Sequence, residues 1–94
     1  MKHHIIVKFN DSVTDKAAIT EEISRHFAPA SDIDGIRSVT VCPSVIDLPN
    51  RYDLMIILEM DKSALPVWAE CSVHTEWKRR YSSLLEKKAI FDCD

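Results

Sequence analysis

The chain has 94 residues and a mass of 10.8 kDa, with 46% of its residues apolar and one glycine. Domains typically run to roughly 100–150 residues, so this length excludes a two-domain enzyme and predicts one domain over residues 1–94. Fifteen acidic against twelve basic side chains give a formal charge of −3, scattered without a basic face, which argues against nucleic acid as a partner.

His3 to Phe9 alternates, with Ile5, Val7 and Phe9 on one side and His4, Ile6 and Lys8 on the other, which is strand spacing. Asn10, Asp11 and Ser12 form a turn cluster. Thr14 then stands as N-cap of an amphipathic helix on which Ile19, Ile23 and Phe27 recur every four residues, ending near Pro29. Gly35 precedes a second strand over Ile36 to Cys42, stopped by Pro43. Ser44 to Arg51, with its Pro49-Asn50 pair, reads as a connecting loop. Tyr52 to Met60 is the third strand, and Leu54 through Leu58 make it apolar on both faces. Asp61 or Ser63 is placed to cap a short helix containing Leu65 and Trp68, with Pro66 in its first turn. A longer helix follows Ser72, and its residues His74, Trp77, Tyr81 and Leu84 fall on one stripe facing the core. Lys88 to Cys93 closes the chain as a last strand, with Ala89, Phe91 and Cys93 alternating against Ile90 and Asp92.

This order is the α+β, ferredoxin-like βαββαβ plan: an antiparallel four-stranded sheet with helices on one face. A third strand apolar on both sides needs two covers, and this much helix covers one. A second copy of the chain is the most economical second cover, so a homodimer built by packing two sheets face to face is expected.

Lys2-His3 before Ile5 to Phe9, Asp34-Gly35-Ile36 with Ser38-Val39, Tyr52-Asp53-Leu54, and the Ser72-Val73-His74 turn followed by Trp77 together resemble the stress-responsive dimeric alpha/beta barrel (Dabb) family. The resemblance runs from Lys2 to Asp92. It implies a dimeric α/β barrel in which each protomer has an apolar cleft between sheet and helices. Many members of that family have no assigned activity, while a plant polyketide cyclase of this fold closes a ring with a pocket histidine in a His-Pro-Ala-His turn. His74 matches the last histidine of that turn, whereas Cys71 and Ser72 replace the first histidine and the proline. The cyclase's assisting tyrosine corresponds to Trp68, which can donate one hydrogen bond but cannot exchange a proton as a phenol does. A histidine at the start of the first strand also approaches the pocket in that family, and here it is His3.

On this reading His74 is the candidate catalytic residue, since an imidazole titrates near neutrality and suits proton transfer. His3, Tyr52, Trp68, Trp77 and Tyr81 are the candidate ligand-binding residues, and aromatic walls are the usual lining of small-molecule sites. His4 points to the opposite sheet face, and His26 lies at the edge of the first helix's apolar stripe. Two histidines without a supporting carboxylate do not make a metal site, so none is expected. Three cysteines, Cys42, Cys71 and Cys93, are odd in number and lack metal-binding spacing, which predicts free thiols. No apolar run approaches the roughly 18 to 20 residues that span a bilayer, and Lys8 interrupts the only apolar stretch near the amino terminus. A cytoplasmic protein with no membrane partner is expected.

The functional expectation is therefore a small homodimer that binds an apolar or aromatic molecule. One enzyme version is a cyclase or isomerase that needs no cofactor and uses His74 as general base. Other versions are a haem- or quinone-handling monooxygenase of the related dimeric barrels, suggested by fold analogy, and a dimerisation module with no ligand.

Overall fold

Alternation along the first strand decides the architecture. In the computed structural model, which describes residues 1–94, β1 (Lys2–Phe9) buries His3, Ile5, Val7 and Phe9 and leaves His4, Ile6 and Lys8 half-buried on its other side. The chain continues through α1 (Lys16–Phe27), β2 (Ile36–Pro43), β3 (Leu54–Met60), α2 (Leu65–Glu70), α3 (Ser72–Tyr81) and β4 (Leu85–Cys93). The four strands form one antiparallel sheet in the order β2-β3-β1-β4. This is the ferredoxin-like fold read from the sequence.

The core lies on the helix side of the sheet. Leu54, Ile56, Leu58 and Met60 of β3 join Ile5, Val7 and Phe9 there, and Ile23, Phe27, Trp68, Trp77 and Tyr81 close over them from the helices. Each such side chain contributes about 1.5–3 kcal/mol through burial, which makes this layer the main source of stability. The opposite face has no helix over it. Ile6, Met55 and Ile57 remain half-buried there, beside Phe91 at 60% exposure. The loop between β2 and β3 adds Val45, 94% exposed, and Leu48, 50% exposed. No helix is long and apolar enough to cross a membrane.

The helix caps differ from those read in the sequence. Asp15, not Thr14, caps α1: its backbone is extended and its carboxylate accepts the Ala18 N–H at 3.0 Å. Neither Asp61 nor Ser63 caps α2, because a 3-10 turn over Lys62–Ala64 runs straight into that helix. The Asp61 carboxylate instead accepts from Arg37, at 2.5 Å. Cys71 caps α3, its Sγ accepting the His74 N–H at 3.5 Å, so Ser72 is the first helical residue. Leu84 has left that helix for a 3-10 turn over Ser82–Leu84. At the end of the chain β4 starts at Leu85, because Lys87 and Leu85 pair with Lys8 and Phe9 across a bulge at Glu86 of β4.

Gly35 earns its place through a positive φ of 88° and a close approach. A Cβ built there would lie 2.8 Å from the Ala64 Cβ, so glycine lets the start of β2 pass against the turn that leads into α2.

Candidate functional site

Strand pairing brings the first candidate group together. His3 faces Asp92 across the β1–β4 register, and the two side chains meet at 2.5 Å through Nδ1 and Oδ1. A carboxylate accepts, so the His3 Nδ1–H donates and the ring is held with Nε2 turned away from that bond. His3 is the only polar or charged residue buried in the protein. Asp92 was not singled out in the sequence as a partner for it. The signal was present: Asp92 alternates against Phe91, and in a βαββαβ sheet the first and last strands are neighbours.

The second group is built at the junction of the last two helices. The chain turns in extended backbone at Cys71, and α3 then carries His74 back over α2, where its Nδ1 donates to the Ala69 carbonyl at 3.0 Å. A carbonyl oxygen has no proton to give, so the neutral ring keeps its lone pair on Nε2. His74 is pushed below the ordinary imidazole value of 6.5, first by burial and then by the positive charges of Lys78 and Lys88 and by His3, while the Ala69 bond works the other way. At neutral pH this ring is therefore a neutral base with a fixed tautomer.

Aromatic rings fill the space behind it. The Trp68 ring lies 5.1 Å from that of His74 and 5.8 Å from Phe27, and Phe27 meets Trp77 at 5.1 Å. Trp77 in turn lies 5.3 Å from Tyr81, whose hydroxyl donates to Glu22 at 3.1 Å. Burial and that carboxylate raise the Tyr81 phenol above its ordinary value, so it stays protonated. His26 completes the α1–α3 contact, with Nε2 donating to the Val73 carbonyl at 2.9 Å. Trp68 Nε1 is buried and has no hydrogen-bond partner.

The structure thus places Trp68, Trp77, Tyr81, His3 and His74 on the helix side of the sheet, but not around an open cleft. None of the four cavities of the chain is lined by any of the five. Two indoles and a phenyl ring occupy the space that smaller side chains would leave open. Tyr52 stands apart from this group. It lines a cavity of about 350 Å³ on the open sheet face with Ile6, Met55 and Val45, and the Lys87 ammonium lies 5.4 Å from its ring centre. The largest cavity, about 530 Å³, runs between α1 and the end of β2. Lys16 sits there between Asp53 at 3.0 Å and Asp47 at 3.3 Å, and Asp53 also accepts the Phe9 N–H at 2.8 Å. No three His, Cys, Asp or Glu side chains are placed to hold a metal ion, and all three cysteines are free thiols.

No family model matches the sequence, and no curated protein does. Solved structures do match. A dimeric protein of unknown function and ferredoxin-like fold from Bacteroides fragilis superposes with a TM-score of 0.80 at 18% identity, over 99% of this chain and 93% of that one. A dimeric ferredoxin-like protein of unknown function from Thermobifida fusca gives 0.80 at 13% identity, over 96% and 85%. A dabb family protein with a ferredoxin-like fold from Mesorhizobium loti gives 0.66 at 15% identity, over 99% and 93%. At these identities the likeness establishes the ferredoxin-like fold.

Proposed function

We propose that this chain is a Dabb-type homodimer that binds an apolar or aromatic small molecule on the helix side of the sheet, beside His3 and His74. The observation that carries the reading is the pair of oriented imidazoles. Each has Nδ1 engaged, by Asp92 or by the Ala69 carbonyl, and each keeps Nε2 uncommitted, with the His74 ring 5.1 Å from that of Trp68. Dimer formation is supported by the apolar residues of the uncovered sheet face and by the dimeric neighbours of the same fold.

A screen of aryl ketones and aromatic acids by thermal shift tests the site. The expected outcome is a set of compounds that raise the melting temperature of the wild-type protein and lose that effect in His74→Ala. Equal shifts in the variant would place the binding site elsewhere.

His74 also favours an enzymatic reading, because a neutral imidazole with a fixed tautomer is suited to remove a proton next to a carbonyl. Exchange of the methyl protons of acetophenone in heavy water reads this directly. A general base makes exchange faster with the wild-type protein than with His74→Ala, whereas equal rates leave binding alone.

A further inference from the structure

The first helix has two distinct faces. Ile23 and Phe27 of α1 turn into the core, whereas Ala17, Thr20 and Ser24 turn toward the edge strand β2. Those three side chains are too small to close the space to the strand, so a groove of about 530 Å³ stays open there, a size that takes a small organic molecule. Val41 shares the helix side of the sheet with its register partner Ile56, and together with Ile46 of the following loop it gives the groove an apolar floor. Neither His3 nor His74 lines this groove, which is separate from the site proposed above.

Charge decides what the groove accepts. Three carboxylates line it, Glu21 on the helix, Asp47 on the loop and Asp53 just before β3, against one ammonium, that of Lys16. Asp53 is the fixed member: its side chain is 12% exposed and is bonded to the Phe9 N–H as well as to Lys16. Asp47, 89% exposed, meets Lys16 at 3.3 Å, and Glu21 meets Arg25, from outside the groove, also at 3.3 Å. A carboxylate has about four acceptor sites, so both keep capacity for a further donor. The Lys16 side chain is itself an alkyl chain ending in an ammonium, and its bonds to Asp53 and then Asp47 push its pKa above the ordinary lysine value. It represents, inside the chain, the kind of group that these carboxylates hold.

We propose that this groove binds a primary amine on an apolar chain, with the chain on Val41 and Ile46 and the ammonium among Asp47, Asp53 and Glu21. Lys16 competes with that ammonium for Asp47 and Asp53, so its removal strengthens binding.

Hexylamine, hexan-1-ol and hexanoate serve as probes, since they share a chain length and differ at neutral pH in the charge of the head group. Each is titrated into the protein at fixed pH and followed in amide NMR spectra. The expected result is that hexylamine moves the Thr20, Val41 and Ser44 signals along a saturating curve, while the alcohol and the acid at the same concentration leave them in place. Lys16→Met should tighten hexylamine binding about threefold, the scale of one exposed ion pair, and Glu21→Gln should weaken it about as much. Lys62→Met removes the same charge outside the groove and should change nothing. If the alcohol moves these signals as strongly as the amine, or if no signal saturates, the carboxylates do not hold the ligand and the proposal is wrong. Shifts spread over the whole surface, or equal gains from both lysine variants, would reduce the effect to the general field of an acidic protein and overturn it too. The three wild-type titrations decide even if Lys16→Met fails to fold.

Discussion

At the level of single residues, His74 combines three influences that a sequence does not display together. Its place near the start of α3 was legible from the spacing to Trp77 and Tyr81. Its bond to the Ala69 carbonyl was not, because that contact depends on how α2 and α3 meet at Cys71. Asp92 shows a similar gap: alternation separated it from Phe91, but only the register made it the partner of His3. The pH dependence follows from the lowered His74 value. Above pH 6.5 the ring is neutral in both folded and unfolded chains, and no stability is lost through it. As the pH falls through 6.5 toward the folded-state value, the unfolded chain takes up the proton first and stability declines. NMR titration should give a His74 midpoint below 6.5, and Lys88→Met should raise that midpoint by removing a nearby positive charge. A midpoint at or above 6.5 in the wild type would contradict the described surroundings of the ring.

At the level of elements, most of the fold was readable because burial follows period two in β1 and β3 and a four-residue recurrence in α1. Caps and ends were less readable. Asp15 and Thr14 are both good capping types, and local geometry chose between them. Cys71 is an unusual cap, so nothing in its residue type announced that α3 would begin at Ser72. The approach of β2 to the turn before α2 depends on Gly35. Gly35→Ala should therefore destabilise the fold by about 2 kcal/mol or more, since it adds a Cβ to a left-handed backbone and presses it on Ala64. Chemical denaturation measures this, and a change under about 0.5 kcal/mol, the scale of an ordinary surface substitution, would show that the approach is looser than described.

At the level of the whole molecule, the feature that most needs explanation is the uncovered sheet face. The apolar pattern of Leu54 through Leu58 called for two covers, and the helices supply one. Met55 and Ile57 are left half-buried on the far side, next to Ile6 and Phe91. The expected cleft was less legible than the sheet, because its size depends on how the large side chains Trp68, Phe27 and Trp77 pack. Those rings fill the space in the single chain. The proposed function assigns the two faces different tasks: the open face to contact with a second copy, and the helix side to the ligand. Native mass spectrometry of untagged protein from cell extract tests both in one spectrum. The account predicts a species of about 22 kDa, twice the 10.8 kDa chain, carrying a small molecule that His74→Ala fails to retain. A monomer at micromolar concentration would contradict it.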